Sequence, residues 1–343
     1  NKPLDIEAAE DPLHYRLNED LYPLAAQYIA EEQLVQLVFP QTIESNELHT
    51  LTLSQLKDAD HIRIPDSRHY FGSTPPASLH ELIFTEVMAD PTPVQDLPNA
   101  EYVEIYNNSN RPLQLEGIVL QDKNQSSTLP SYWLLPKHYL ILCDDSNYQE
   151  LGQRSTSLAL SSFPNLNSES DHLTLTSADG NTLLHQVSYQ QSWYNDEFKR
   201  SGGWSLEMVD LKYPCRERSN WTASADPAGG TPGRANSVAN ENPDNTPPSL
   251  FNVVAESSTL VRVEFDEKLQ ASAISEMEFL IDTELVLDKQ LLPGHRIIHL
   301  SLGKELQAGI AHQLHAVNVA DCSGNVEMDM QTFTFYLPEP HGR

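Results

Sequence analysis

The chain has 343 residues, and its 49 acidic and 21 basic side chains give a formal net charge of −28 at pH 7. This length exceeds that of one hydrophobic core and predicts two or three domains. No apolar run reaches the roughly 18 residues of a membrane-spanning helix, so we expect no membrane insertion by this chain. The acidic residues are spread along the sequence, and no segment is basic enough to bind a phosphate backbone. We therefore expect no nucleic acid partner.

The first strand-forming pattern lies in residues 33–58, and it recurs in residues 296–321. Four identical residues align at a constant spacing: Leu37 with Leu300, His49 with His312, Leu51 with Leu314, and Asp58 with Asp321. We predict that residues 15–72 share their strand order with residues 279–336. Leu37 and Leu51 should then face a core while their neighbours in sequence face solvent, because side chains alternate along a strand.

Residues 81–107 read ELIFTEVMADPTPVQDLPNAEYVEIYN and contain two further strand-like runs. The runs at 83–88 and 101–106 are rich in β-branched and aromatic residues and are separated by a proline-rich acidic loop. This arrangement favours an antiparallel pair of strands.

These two runs and their loop resemble the opening of the lamin-tail domain, an immunoglobulin-like sandwich. Residues 202–207, GGWSLE, are similar to that family's Gly-Gly-x-Ser-Leu-Glu strand. The segment from Asn220-Trp221 to GGTPGRAN at 229–236 resembles its closing segment. Three motifs in the family's order imply such a sandwich over residues 79–240. The resemblance implies no chemistry, since the bacterial members share no catalytic set.

The C-terminal copy of the repeat, residues 247–343, resembles bacterial Ig-like domains. Glu264–Glu267 and Asp321–Asn325 match the Val-x-Phe-Asp/Ser-Glu strand and the Asp-x-x-Gly-Asn turn of those domains. Because Asp, Asn and Gly are typical turn residues, we interpret Asp321–Asn325 as a hairpin corner and not as an active site.

The N-terminal copy, residues 1–76, has too few residues before Tyr15 to match the C-terminal copy. We predict a partial, N-terminally truncated Ig-like sandwich and expect the chain to be a fragment of a longer protein. The turn at 58–60 lacks the Gly-Asn pair, so we expect its corner to be built differently. The predicted fold class is all-β, with tandem immunoglobulin-like sandwiches.

Glu86, Asp90 and Glu104 are the candidate metal ligands, on the paired strands or at the start of their loop. Calcium binds six to eight oxygens, and clustered carboxylates supply them, so calcium is the only cofactor considered. The alternative is that Glu86 and Glu104 cap backbone groups or pair with a base such as Arg111.

The three cysteines are too few for a disulfide scaffold. Cys143 lies in the apolar run 139–143 and is predicted to be a buried thiol. Cys215 and Cys322 lie in polar segments that we expect to be exposed. They could form a disulfide between the middle domain and its neighbour, or stay unconnected. On sequence alone we favour the unconnected thiols.

Motifs for catalysis are weak. Residues 203–207, GWSLE, differ by one residue from the serine-hydrolase elbow and precede a turn-rich segment instead of a helix, so we do not predict that Ser205 is a nucleophile. No histidine or cysteine cluster has zinc spacing. The four tryptophans are expected to be core or loop anchors, with a sugar-stacking platform as the alternative: Trp133, Trp193, Trp204 and Trp221.

Two classes of function stay open. The first is a non-catalytic structural, adhesive or ligand-binding segment of a larger exported bacterial protein. The second is an accessory, carbohydrate-binding region of an exported hydrolase whose catalytic domain lies outside this chain. Both predict that the chain itself is not an enzyme. Both also place it outside the cell, at the cell surface or in the periplasm, with a protein or glycan as partner.

Overall fold

The computed structural model describes residues 2–44 and 47–339. The described residues form 27 strands and helices of no more than five residues. This confirms the all-β fold class.

The N-terminal region contains α1 Ile6–Ala9, a 3-10 turn Pro12–His14, β1 Tyr15–Leu17, β2 Ala25–Ile29, β3 Leu34–Val38, β4 Leu48–Leu53 and β5 Ser67–Gly72. The middle region contains β6 Leu82–Met88, β7 Tyr102–Asn107, β8 Leu113–Gln114, β9 Val119–Gln121, β10 Ser126–Thr128, β11 Trp133–Leu134, β12 Tyr139–Asp144, α2 Tyr148–Gly152, β13 Ser157–Leu160, β14 Leu173–Thr176, β15 Leu183–Val187, 3-10 turns Gln191–Tyr194 and Lys199–Ser201, β16 Leu206–Met208, a 3-10 turn Arg218–Asn220 and β17 Trp221–Ala223. The C-terminal region contains β18 Leu250–Ala255, β19 Leu260–Phe265, a 3-10 turn Ala271–Ala273, β20 Glu278–Ile281, β21 Glu284–Leu285, β22 Asp288–Leu291, β23 Ile297–Ser301, β24 Ala311–Val317, β25 Val319–Ala320, β26 Val326–Glu327 and β27 Gln331–Tyr336.

The chain folds into two compact units. The N-terminal unit comprises Asn1–Ala77, Arg111–Glu116 and Ser131–Leu135, and the large unit comprises Ser78–Asn110, Gly117–Pro130 and Pro136–Arg343. This division differs from the three consecutive domains expected from the sequence. The middle and C-terminal regions share one unit, while β8 and β11, which pair with each other, belong to the N-terminal unit.

The middle sandwich of the large unit has a six-stranded sheet, in the order β13-β12-β7-β6-β16-β17, and a four-stranded sheet, in the order β10-β9-β14-β15. The expected antiparallel pair is formed by β6 and β7, with Met88 opposite Tyr102. Every residue of both strands is buried. They lie in the middle of their sheet, and β15 of the second sheet packs against β6.

The C-terminal sandwich of the large unit has two four-stranded sheets, β18-β19-β23-β22 and β21-β20-β24-β27. Apolar residues alternate along its strands, as in Val261, Val263 and Phe265 of β19, all fully buried. The core between the sheets includes Phe279, Leu300 and residues of the other long strands.

The N-terminal unit contains a sheet β1-β4-β5 and a separate pair β2-β3. Three of its strand pairs have the same register as their counterparts in the C-terminal sandwich. The pair Tyr15–Leu53 corresponds to Phe279–Ala316, and the pair His49–Phe71 corresponds to His312–Phe335. The pair Ala25–Val38 corresponds to Asp288–Ser301. The internal repeat read in the sequence is therefore confirmed at the level of strand pairing. Leu37 and Leu51 are only half-buried, whereas Leu300 and Leu314 are fully buried.

The corner of the N-terminal copy is built like that of the C-terminal copy, which corrects the sequence-based expectation. The Asp58 carboxylate accepts from the backbone N–H groups two and four residues later, as the Asp321 carboxylate does. His61 takes the left-handed conformation, with φ 61°, where Gly324 has φ 94°. Asp supplies the same two hydrogen bonds in both copies, so the Gly-Asn pair is not required.

Candidate functional site

Three buried glutamates form one row across adjacent strands of the middle sandwich. Glu86 of β6 lies opposite Glu104 of β7 on one side and opposite Glu207 of β16 on the other. All three are fully buried. Like charges opposite each other destabilise a sheet, and a buried carboxylate without partners is costly, so this row depends on hydrogen bonds from its surroundings.

Those hydrogen bonds come from hydroxyl and backbone groups. Glu86 Oε1 accepts from Ser205 Oγ at 2.6 Å, from the Tyr102 hydroxyl at 2.7 Å and from the Thr231 backbone N–H at 2.9 Å. Glu104 accepts from the Thr85 hydroxyl at 2.7 Å and has a second donor in the closing segment. The sequence alternative that Glu86 and Glu104 cap backbone groups is therefore confirmed.

The segment 229–238 closes the sandwich by binding to this row. The backbone N–H of Gly233, at φ 81°, donates to Glu104 Oε2 at 2.6 Å. A Cβ on Gly230 would lie 2.4 Å from Glu86 Oε1, so glycine permits the close approach. The Ser237 hydroxyl donates to Glu207 Oε2 at 2.8 Å. The glycine-rich motif recognised in the sequence thus serves to satisfy buried carboxylates.

Burial and electrostatic repulsion raise the pKa values of two glutamates of the row, Glu86 and Glu104. Burial is the main cause that raises the pKa of Glu86 to about 7, and the nearby charge of Glu207 adds to it. Hydrogen bonds from Ser205 and Tyr102 oppose that rise. Burial, followed by the charge of Glu86, raises the pKa of Glu104 well above its usual value. Near neutral pH the protonated and charged forms of Glu86 are therefore comparable in population, and Glu104 favours its protonated form more than an exposed glutamate does.

The structure does not bring Glu86, Asp90 and Glu104 together as a calcium site. The two glutamates accept hydrogen bonds from groups inside the sandwich. Asp90 Oδ1 accepts from the backbone N–H and the hydroxyl of Thr92. In the described part of the chain, the group of three potential metal ligands that do lie close together consists of other carboxylates, those of Asp244, Glu267 and Asp321. Arg111, the base considered as a partner, donates to backbone carbonyls at 75 and 76.

Ser205, the serine of the elbow-like motif, lies in the core. It is fully buried, and its hydroxyl donates to the Glu86 carboxylate and not to a histidine. Cys143 is buried as predicted, and burial raises the pKa of its thiol to about 11. Trp193 and Trp221 are buried, in line with core anchors, while the face of the half-buried Trp204 is covered by the Lys199 ammonium at 4.5 Å.

Cys215 and Cys322 form a disulfide that links the middle sandwich to the C-terminal sandwich within the large unit. The S–S distance is 1.99 Å, and the two residues are 107 positions apart. The sequence had named this pair as a possible disulfide, and the structure confirms it. The preference for unconnected thiols was wrong, and Cys215 is buried instead of exposed.

A buried ion pair lies beside the disulfide. Lys268 is 6% exposed, and its Nζ lies 3.1 Å from a carboxylate oxygen of Glu217. Arg296 approaches the other oxygen of Glu217 at 3.6 Å. Burial lowers the pKa of Lys268, and the charge of Glu217 opposes that shift. A cleft of about 490 Å³ opens here, lined by these residues, by the disulfide and by Arg218.

Two carboxylates that line this cleft, Asp244 and Glu267, lie close to a third, that of the fully buried Asp321. Burial, followed by the charges of Asp321 and Asp244, raises the pKa of Glu267 to about 8. Asp244 already has the Arg216 guanidinium at 3.5 Å and accepts from the Ser323 hydroxyl at 2.9 Å. Sequence reasoning missed this group because its members come from a linker, a strand end and a corner.

Comparison with known protein families supports the resemblance of the middle region to the lamin-tail domain. Residues 75–191, about a third of the chain, match the family described as Lamin Tail Domain. No curated protein matches the chain. Two solved structures match the chain: "Crystal structure of the S-layer protein rSbsC(31-844)", with a TM-score of 0.20, and "Structure of surface layer protein SbsC, domains 1-6", with a TM-score of 0.19. Both are 9% identical, and the match covers 98% of this chain.

The chain spans about half the length of these two structures, 51% and 52%. Their TM-scores are too low to carry an argument on fold or function. In the described part of the chain, no helix is long and apolar enough to cross a membrane. β16 pairs with β6, and the segment 229–238 binds to Glu86 and Glu104, so the sandwich continues past the matched range. The middle region therefore matches the lamin tail domain over residues 75–191, within a sandwich that extends beyond that range.

Proposed function

We propose that the chain is a non-catalytic structural or adhesive segment of a larger exported bacterial protein, located at the cell surface or in the periplasm. The observation that carries this proposal is the Cys215–Cys322 disulfide. Disulfides form and persist in oxidising compartments and are rare in the cytosol. A bridge between two sandwiches is therefore suited to a chain that works outside the cytosol.

The surroundings of the disulfide support the role of a structural spacer in which the two sandwiches keep a fixed orientation. The bridge closes a loop of 107 positions, which restricts the unfolded chain strongly. The buried Lys268–Glu217 pair adds a contact that is costly to break, because separating the partners leaves a charge inside the protein. Such a connection holds the two sandwiches at a constant orientation for a partner at either end.

A second candidate function is carbohydrate binding, as in the accessory region of an exported hydrolase. It is favoured by two half-buried aromatic residues of the N-terminal unit, Tyr70 and Trp133. Their ring centroids are 6.3 Å apart and their planes are tilted by 44°. Aromatic faces of this kind stack on sugar rings.

Export and thiol titration test the first function. The chain is produced with an added signal peptide in a bacterial periplasm and alkylated under denaturing conditions. One reactive thiol, Cys143, is expected of the three cysteines, and reduction should release the other two. Three reactive thiols before reduction would contradict the proposal. Cys143→Ser is the control, since it removes the free thiol and leaves the bridge.

A glycan array with the same material separates the two functions. Binding that Trp133→Ala removes and Trp204→Ala preserves would favour the carbohydrate-binding region. Turnover of ester, phosphate or glycoside reporters by the purified chain would contradict both, because each assigns catalysis elsewhere. Ser205→Ala is then the variant that identifies whether the serine motif is responsible.

A further inference from the structure

A second cleft, of about 400 Å³, shares Lys268 and the Cys215–Cys322 disulfide with the cleft described above. Its lining comes from both sandwiches of the large unit and includes Leu79, His80, Leu183, Gln186, Leu269 and His295. The volume lies within the range of small-molecule sites, roughly 300 to 1,000 Å³. The second cleft is therefore large enough for a ligand with a short apolar body.

The charge of the second cleft is opposite to that of the chain. The chain has 49 acidic and 21 basic side chains, yet no aspartate or glutamate is among the described residues that line this cleft. Lys268 is the one lysine of the lining, and the carboxylate of Glu217 beside it also contacts Arg296. Burial, and after it the charge of Lys268, lowers the pKa of His80 to about 4 and also lowers the pKa of His295. The second cleft therefore favours an anionic group.

Two neighbouring donors of this lining have hydrogen-bonding capacity that the described residues do not use. Gln186 is 7% exposed, and its buried Nε2 has no hydrogen-bond partner in the described part of the chain. A lysine ammonium has three N–H groups, and Lys268 Nζ contacts Glu217 Oε1 at 3.1 Å and the Gln186 main-chain carbonyl at 3.5 Å. Because a buried donor without an acceptor is unfavourable, an acceptor placed between these two groups is stabilising.

We propose that the second cleft binds a small organic carboxylate. The carboxylate accepts from Gln186 Nε2 and from the Lys268 ammonium, and its apolar body packs against Leu79, Leu183 and Leu269. A carboxylate suits this pair of donors because it has two acceptor oxygens and forms a charge-assisted hydrogen bond with an ammonium group. Gln186 belongs to the middle sandwich and Lys268 to the C-terminal one, so the bound carboxylate contacts both.

Calorimetric titration of the intact chain, with its disulfide formed, tests the site with sodium benzoate and sodium hexanoate. Saturable binding is expected, about tenfold tighter or more than that of the matched neutral amides, benzamide and hexanamide, because the amides lack the charge. Sodium sulfate is an anion without an apolar body, and it should bind about tenfold more weakly than benzoate or less tightly still. The ionic strength is kept constant, so that screening is equal for all probes.

Variants of the chain locate the two donors. Gln186→Met removes the amide donor at similar side-chain length and should weaken benzoate binding about tenfold. Gln313→Met, at an exposed position of β24, is the matched control and should leave the affinity unchanged. Lys268→Met is combined with Glu217→Gln, which keeps the net charge constant and leaves no buried carboxylate without its partner. This double variant should weaken the binding of benzoate and leave that of benzamide unchanged, and thermal unfolding verifies the fold of each variant.

A second measurement uses the unaltered chain and so remains informative if a variant fails to fold. A carboxylate in the cleft should raise the pKa values of His80 and His295, because a nearby negative charge stabilises the protonated imidazole. NMR titration of both histidines with and without benzoate measures this rise. His315, on β24, is not among the residues that line the cleft, and its titration should be unchanged.

Four results would overturn the proposal. The first is no saturable binding of either carboxylate, which would mean that solvent alone satisfies Gln186 Nε2. The second is equal binding of the neutral amides, and the third is equal binding of sulfate, which would make this a site for inorganic anions. The fourth is an affinity that Gln186→Met leaves unchanged together with unaltered histidine titrations. None of these results depends on where the chain is located or on what it connects, so they are distinguishable from a failure of the proposed function.

Discussion

The two copies of the repeat share their polar connections and differ in burial. His49 and His312 lie 5.3 and 5.8 Å from the rings of Phe71 and Phe335, and both corners are held by one aspartate. Yet Phe71 is 38% exposed and Phe335 only 3%. The hydrogen-bonded corners therefore form alike in both copies, whereas the burial of Phe71 and Phe335 depends on the packing of the sheets around them.

The largest difference is expected for matched core substitutions. Leu300→Ala should lower the free energy of unfolding by about 3 kcal/mol, because the cavity lies in a closed core. Leu37→Ala should cost about 1 kcal/mol, since its side chain is half-exposed and solvent can fill the space. Hydrogen exchange under native conditions resolves each copy separately. Equal losses would show that the N-terminal core is as closed as the C-terminal one.

The corner aspartates should behave alike. Asp58→Ala and Asp321→Ala each remove an acceptor of two backbone N–H groups, and each is expected to cost about 2 kcal/mol. The comparison is made by denaturant unfolding of both variants and of the unaltered chain at the same pH. A loss confined to Asp321 would mean that the N-terminal corner is held by other contacts.

The left-handed corner residue offers a smaller test. Gly324→Ala should cost about 1 kcal/mol, because φ of 94° strains a residue with a Cβ although the space around it is open. Gly303 also has open space but no positive φ, so Gly303→Ala is the matched control and should not destabilise. Thermal unfolding of the two variants makes the comparison. A Gly324→Ala protein as stable as the control would contradict the strain argument.

The smallest effect concerns the histidine that both copies share. Burial would lower the pKa of His312, but its hydrogen bond to Asp282 at 2.8 Å is the main cause that raises it above the usual 6.5. The corresponding partner of His49 is the uncharged Asn18. A raised folded pKa stabilises fully below pH 6.5, and this contribution is lost as the pH rises through the folded pKa.

Asp282→Asn makes the C-terminal pair resemble the N-terminal one. It should remove this pH dependence, by about 0.5 kcal/mol, because Asp282 is half-exposed and its charge is screened. NMR titration of His312 and unfolding between pH 5.5 and 8 measure it. A His312 pKa that the substitution leaves unchanged would show that the backbone carbonyl at 307 holds the proton instead.

Sequence reasoning recovered the features that repeat locally. The alternation in β6, β7 and the repeated strands predicted the all-β class, the β6–β7 pair and the correspondence of Leu37 with Leu300. It wrongly predicted that the corner at Asp58 is built differently, because the corner lacks the Gly-Asn pair. The hydrogen bonds that hold the corner are accepted by the aspartate, which both copies have. The closing motif at 229–236 was recognised, but its role as donor to Glu104 was not.

The site shows where local pattern stops being informative. Glu207 was overlooked, although it lies in the same motif as Ser205, because its neighbour Glu86 is more than one hundred positions away in the chain. The placement of Asp90 in sequence favoured a calcium set with Glu86 and Glu104. Strand register instead put both glutamates inside the sheet, facing hydroxyl and amide donors, and left Asp90 in the loop.

The sequence by itself determined which residues alternate, where the chain turns and which segments repeat, because these depend on conformational preferences over a few residues. Only the tertiary structure decided which distant groups meet. It paired Cys215 with Cys322 and joined Lys268 to Glu217. Such partners are selected by the packing of whole sheets, where burial and backbone pairing act together across long separations in the chain.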